Sequence, residues 1–373
     1  MTSATLESTN LASKQTTGRR PDEQTSSHDS YETLRRIVSQ LDLLMGNAVQ
    51  EIHGLNERAR MLSFNAKIEA GRAGGTVGAA FGVVAGAMQQ LSERTSGVAD
   101  GLRAETRDQI RTLQVSVERI ATEVQGERLS DMALTNIDLI DRNLYERTCD
   151  VRWWATDPAI IDAVQNGDPD SRAYASRRMG VILDAYTVYF DLVLADRNGK
   201  IIVNGRPEKY RSEGQSHGSA RWFQSAMEGK SDQEFGFQGV HDSTLVGGQS
   251  ALVYSCGIRP AGCHTGAPIG ALGVVFNWRG LSQTIVQQTK IPDSLKDRSR
   301  VAIVDEAGLV LADLQSDHLG ETLRLPGQSA LFRQSRGFVV GEVAGQRSLI
   351  AHARAPGFET YSTGWHSVIV QPI

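Results

Sequence analysis

No run in the sequence approaches the ~18 consecutive apolar residues that a membrane-spanning helix needs. Cysteine is scarce: Cys149, Cys256 and Cys263 are the only three in 373 residues. So sparse and odd a set excludes a disulfide framework and fits a reducing compartment. Charge of one sign is also missing, with 39 basic against 43 acidic side chains, so nothing resembles the basic footprint of a nucleic-acid binder. No nucleophile–base spacing, Walker loop or glycine-rich nucleotide motif occurs, which leaves an enzyme without a positive feature and implies no cofactor. The dipeptide Cys263-His264 falls short of the four ligands of a structural zinc, so no metal is expected. The first thirty residues lack an apolar signal core and are rich in Ser, Thr and charge, the composition of a disordered tail. These absences leave a cytoplasmic, non-enzymatic protein of two or three domains, at roughly 100–200 residues each.

What is present starts at residue 31. Apolar residues recur at alternating steps of four and three through Leu34, Val38, Leu41, Met45, Ala48, Ile52, Leu55, Ala59, Leu62 and Ala66. They restart in the same rhythm at Phe81, Val84, Met88, Leu91, Val98 and Leu102. A seam of this period keeps one stripe facing a partner helix, as in a coiled coil. Between the runs, Gly74-Gly75-Thr76-Val77-Gly78 supplies positive-φ positions for a chain reversal. The spacing predicts an antiparallel helical hairpin over 31–126, N-capped near Asp29-Ser30, with its tip near 74–79. Five glycines inside the arms, at ~1 kcal/mol each relative to Ala, make a lone hairpin marginal; homodimerisation into a four-helix bundle would supply the packing.

The tip stretch LSFNAKIEAGRAGG…AAFGVVAGAMQQL resembles the signalling hairpin of methyl-accepting chemotaxis proteins. Leu62, Asn65, Ala66, Ile68, Glu69, Ala70, Arg72, Ala73 and Gly74 match its ascending side. Phe81, Val83, Val84, Ala85 and Leu91 match the descending side. By this resemblance Asn65, Ile68, Glu69, Arg72, Gly74, Phe81 and Val84 form a signalling tip, with a chemotaxis histidine kinase and its coupling adaptor as partners. Three departures fall where the family docks them: Gly75 replaces a Glu, Gly78-Ala79-Ala80 replaces Gly-Arg-Gly, and the turn is one residue longer. The arms are also too short for the family's methylation region, so no adaptation by methylation is expected.

From Arg128 a helical pattern continues into NLYERTCDVRWW, and Asp157-Pro158 should end it and cap a second helix. After another helix, Arg172 to Tyr186, the period changes to strands. FDLVLADRNGKIIVNG reads as a hairpin turning at Asp196 to Gly199. A short helix carrying Trp222 and Phe223 follows, then strands over Ala251 to Ile258 and Ile269 to Trp278, and a helix over Leu281 to Thr289. RVAIVDEAGLVLAD, FVVGEV, RSLIAHARA and WHSVIVQPI form a second, smaller antiparallel sheet.

That order over 127–373 resembles the double Cache sensor domain, two PAS-like modules behind a long helix, with modules at about 166–290 and 296–373. The resemblance implies a small-molecule ligand in the first module. Trp222 and Phe223 would wall it, with Tyr254 on a neighbouring strand and His241 and Asp242 in the loop before that strand as polar contacts. The family's amino-acid-binding members carry an Arg and an Asp where Ala220 and Val275 stand here, so an ordinary amino acid is not the expected ligand. The chain is thus a mixed α plus α/β protein: a helical hairpin, dimeric as a coiled-coil four-helix bundle, followed by an α+β double Cache-like domain. Two readings follow. One is a soluble chemoreceptor-like transducer; the other is a dimeric sensory module that no longer couples to the kinase.

Overall fold

The computed structural model describes residues 23–315 and 318–373, with side chains from residue 33 onward. Residues 1–22 of the expected tail lie outside the described residues. The chain forms two compact units, 1–123 and 124–373.

The first unit is built from α1 (Glu23–Ala73) and the opening part of α2 (Gly75–Trp154). α1 begins ahead of the N-cap expected near Asp29-Ser30. The reversal is tighter than the expected tip: only Gly74 separates the helices, and Gly74 and Gly75 both take the left-handed conformation, at φ 59° and 61°. Gly78 donates its N–H to Gly74 O at 3.1 Å, and a side chain there would run into the carbonyl oxygen of Ala70. The glycines therefore let the two helices separate and meet again within one turn.

The helices run antiparallel, tied by His53 to Asp100 (3.1 Å), Asn56 to Ser96 (3.2 Å), Ser63 Oγ to Ala85 O (2.6 Å) and Lys67 Nζ to Gln89 (2.5 Å). Besides Val38 and Ile110, the buried positions form a stripe of Val49, Asn56, Ser63 and Ala70 on α1, and of Gly78, Ala85, Ser92 and Ala99 on α2. Each set repeats every seven residues, but the side chains are small or polar. This corrects the expected seam. On α1 it straddles the edge of the contact, with Val38 buried, Met45, Ile52, Ala59 and Ala66 half-buried and Leu41, Leu55 and Leu62 exposed. On α2, Phe81, Val84, Met88, Leu91, Val98 and Leu102 are all exposed. A four-three rhythm defines a stripe, and here the stripe lies beside the helix–helix contact instead of within it.

In the second unit α2 ends at Trp154. Asp157 caps α3 (Pro158–Gln165) by accepting from Ala159 N, with Pro158 in the first turn. α4 (Pro169–Ala185) is capped in the same way by Asp168. The first sheet contains β1 (Tyr189–Asp196), β2 (Ile201–Asn204), β3 (Gly236–Ser243), β4 (Gln249–Ile258) and β5 (Gly270–Phe276). α5 (Arg221–Glu228) precedes β3, and α6 (Trp278–Gln288) and α7 (Asp293–Lys296) follow β5. The second sheet contains β6 (Arg300–Val304), β7 (Val310–Asp313), β8 (Arg336–Val343), β9 (Gln346–Arg354) and β10 (His366–Pro372), with α8 (Gln328–Leu331) before β8.

The strand orders are β2-β1-β5-β4-β3 and β7-β6-β10-β9-β8. One topology is used twice, and each sheet has five strands, the second sheet being slightly smaller because β6 and β9 are shorter than β1 and β4. Trp278 opens α6 and does not close the preceding strand. Where the sequence pattern gives a loop, β3 is an edge strand, paired to β4 with an irregularity between Gln238 and His241. One face of each sheet joins a common core with α2 through Leu129, Ile137, Ile140, Leu144 and Val151. The opposite faces carry separate cores, one per module.

Candidate ligand site

The outer face of the first sheet presents Val193, Ala195, Val253, Ala271 and Val275 to α5 and to the long β2–α5 loop. α5 places Trp222 and Phe223 on one side of a single helical turn, both buried against those strands together with Tyr210 from the loop. Trp222 meets Phe223 edge-on at 5.9 Å and lies 6.0 Å from the His217 ring. Its backbone N–H donates to Gln238 on β3 at 3.3 Å, and its carbonyl accepts from Ser255 Oγ at 2.6 Å.

Polar groups surround this apolar wall. His217 lies 3.1 Å from Gln215 Oε1, and His241 Nδ1 donates to Gly239 O at 2.8 Å. Burial, with the nearby His241, holds His217 below the usual imidazole range. At the β2 edge, Asp191 is fully buried. Its Oδ1 accepts from the backbone N–H groups of Leu192, Gly205 and Arg206, at 2.9, 3.1 and 3.0 Å, and its Oδ2 accepts from Asn204 Nδ2 at 2.6 Å. Desolvation outweighs these donors and pushes its carboxyl up to about 6. Asn204 also donates to Tyr210 O at 3.1 Å, which ties this network to the aromatic wall. Two buried atoms, Asn204 Oδ1 in this network and Ser212 Oγ in the β2–α5 loop, have no hydrogen-bond partner.

The structure therefore brings Trp222 and Phe223 together on one face. It places His241 and Asp242 on β3, half-buried and exposed respectively, and not in a loop. Tyr254 is separated from them. It points to the inner face, fully buried, with its hydroxyl 2.8 Å from that of Tyr361. β4 is apolar on both faces, so the sequence pattern does not reveal which way Tyr254 points. Ala220 and Val275 do belong to the outer face. The sequence pattern does not reveal His217, Tyr210 or Gln238, which sit in the β2–α5 loop and on the edge strand β3 where polar composition gives no periodicity, nor Asp191, a lone carboxylate within the apolar internal strand β1. Cys263 is exposed, and His264 pairs with Asp232 at 2.7 Å; among the described residues no group of three or more His, Cys, Asp or Glu could hold a metal. Of the expected tip residues, Asn65, Ile68, Phe81 and Val84 are exposed, and Glu69 pairs with Arg72 at 2.8 Å. No helix among the described residues is long and apolar enough to cross a membrane.

No family model and no curated protein matches the chain. Solved structures do. The sensory domain of the Campylobacter jejuni chemoreceptor Tlp3 aligns with TM-score 0.50 at 13% identity, covering 66% of this chain and 92% of that one. The ligand-binding domain of the Pseudomonas aeruginosa chemoreceptor PctC, in complex with GABA, aligns at 0.48 and 17%, covering 66% and 98%. The sensor domain of the Vibrio cholerae histidine kinase DctB aligns at 0.46 and 15%, also covering 66% and 98%. Only the second unit is large enough to supply that share. Its two sheets on one long helix share the fold of the Tlp3 sensory domain.

Proposed function

We propose that the second unit binds a small molecule at the outer face of its first sheet, and that the chain is a chemoreceptor-like signal transducer and not an enzyme. The observation that carries this reading is the Trp222–Phe223–Tyr210 wall, together with two unpartnered buried polar atoms, Asn204 Oδ1 on β2 and Ser212 Oγ in the β2–α5 loop. An orphaned buried polar atom costs about 1–3 kcal/mol, and a ligand entering beneath the β2–α5 loop would satisfy both. With Ala220 and Val275 apolar, an ammonium would lack a carboxylate there and a carboxylate a guanidinium, so the ligand is a small solute other than an ordinary amino acid. His241 and Asp242 on β3 remain polar contacts at the rim of this site; Tyr254 lies outside it. The first unit supports the rest of the reading: its exposed apolar stripe fits a homodimeric four-helix bundle in the cytoplasm.

Whether the dimer modulates a chemotaxis histidine kinase through an adaptor depends on the tip, where Asn65, Ile68, Glu69, Arg72, Gly74, Phe81 and Val84 keep the receptor pattern and Gly75 does not. The second reading, a dimeric sensory module without kinase coupling, is favoured by Gly75 and by Gly78-Ala79-Ala80.

Thermal-shift screening of the full chain against metabolites tests the site. A hit at one hundred times its Kd raises stability by about 2.7 kcal/mol, and Trp222→Phe is expected to weaken that hit at least about tenfold. A library that leaves the melting temperature unmoved, or a hit indifferent to Trp222, refutes the assignment. Co-precipitation of kinase and adaptor with the full chain, with and without the hit, separates the two output readings.

A further inference from the structure

The loop 355–365, between β9 and β10, touches both α2 and the first sheet of the second unit. Both of its ends are held by Asp141 of α2, a fully buried carboxylate. Asp141 Oδ2 accepts from Gly357 N at 2.8 Å, and Oδ1 accepts from Thr363 N at 3.1 Å and Thr363 Oγ1 at 2.7 Å. Between these anchors Phe358 and Tyr361 pair through their backbones at 2.8 and 3.0 Å. Phe358 lies edge-on to Tyr145 of α2 at 5.3 Å, with the Arg142 guanidinium 4.5 Å above its ring. Tyr361 crosses to the first sheet, where its hydroxyl is 2.8 Å from that of Tyr254 and its ring 6.2 Å from Phe235.

Tyr254 stands one residue from each of two outer-face contacts. Val253 packs in the Trp222 cluster, and Ser255 Oγ donates to the carbonyl of Trp222. β4 therefore carries the ligand wall on one face and the loop on the other. Burial keeps both phenols well above their usual range, and therefore neutral, so the two hydroxyls remain partners. A hydroxyl pair at this distance tolerates a shift of only a few tenths of an ångström before it weakens. A displacement of β4 must then either carry Tyr361 with it or break the pair.

We infer that the loop 355–365 is a strap coupling the Trp222 face of the first sheet to α2, through Tyr254, Tyr361 and Asp141. The inference rests on the Trp222 face being the ligand site, yet its test needs no ligand. In the full chain, Ser255→Ala and Trp222→Phe each disturb the outer face. Amide hydrogen exchange over residues 137–150 of α2, followed by mass spectrometry, reads the consequence at the far end. With the strap intact, each substitution is expected to speed exchange there by roughly three- to tenfold, the signature of a shifted local opening equilibrium. With Tyr361→Phe added, the further change should fall below about twofold. Tyr254→Phe cuts the same hydrogen bond from the other side and should reproduce that loss, which controls for loosening of the loop by Tyr361→Phe itself. An unchanged α2 in the wild-type background, or the same response with and without Tyr361, overturns the strap. A library without hits would refute the ligand site and leave this measurement standing.

Discussion

Exchanging Leu62 and Leu91 for glutamate is expected to convert a dimer of the full chain into a monomer, read by light scattering or sedimentation. The two residues are 62% and 66% exposed in the single chain. They lie at the same level of the hairpin, because the Asn56–Ser96 and His53–Asp100 contacts set the helix pairing on one side of them and Lys67–Gln89 on the other. Burying a Leu stabilises by about 1.5–3 kcal/mol, so the four leucines of a symmetric dimer represent roughly 6–12 kcal/mol. Losing that weakens association by about four orders of magnitude or more, at 1.4 kcal/mol per tenfold. The small-residue seam within each hairpin is untouched, so helix content should persist at a concentration that keeps the chain folded. A wild-type monomer at micromolar concentration, or a double variant that remains dimeric, would refute the bundle.

That prediction also marks where the sequence stops being legible. The four-three rhythm locates two helices and their stripe, and the Gly cluster locates the reversal, because both are local properties of the chain. Which neighbour the stripe faces is not local: the contact goes to Asn56, Ser63, Gly78 and Ala85, whose small size permits a close approach that large apolar residues would prevent. The same limit appears in the second unit. Asp157-Pro158 and Asp196 to Gly199 act within a few residues and were legible as a cap and a turn. β3 was not, since Gly236, Gly239 and its polar side chains carry no alternation on an edge strand with one row of backbone groups unpaired. Nothing local marks Asp141 or Asp191; only the fold buries them and brings their donors from loops distant in sequence or across a hairpin.

Asp191 should be a highly sensitive polar position in the second unit. Asp191→Ala removes the side-chain acceptor of the Leu192 and Arg206 N–H groups, while Gly205 N–H keeps Leu192 O and the Asn204 amide keeps Tyr210 O; two stranded donors are an expected loss of about 2–6 kcal/mol in urea unfolding. Asp191→Asn keeps much of the hydrogen bonding and isolates the charge. The folded carboxyl titrates at about 6, above the ordinary value of 3.8, so between those pH values the native state holds a proton that the unfolded chain has released. Alone, this makes stability rise as pH falls through that window, with a limiting slope of about 1.4 kcal/mol per pH unit.

A buried histidine pair on the second sheet acts with the opposite sign. His352 Nε2 donates to Leu331 O at 2.5 Å, which leaves its Nδ1 to accept from His366 Nδ1 at 3.5 Å. Phe332 stacks on the His366 ring at 4.1 Å. A second proton would be buried in this arrangement, and for His366 it would also face Arg354, itself paired with Glu306 at 3.4 Å. Desolvation first, then His352 and Arg354, push His366 down to about 4 from 6.5, and burial lowers His352 as well. Here the unfolded chain holds the extra proton, so stability present above pH 6.5 is lost as pH falls toward 4. The two effects oppose each other between pH 6 and 4, and wild-type stability should change little there. Asp191→Asn should expose a steep loss on acidification, and His366→Leu a gain. If both variants keep the wild-type slope in urea unfolding from pH 4 to 7, neither group is coupled to folding as its burial requires.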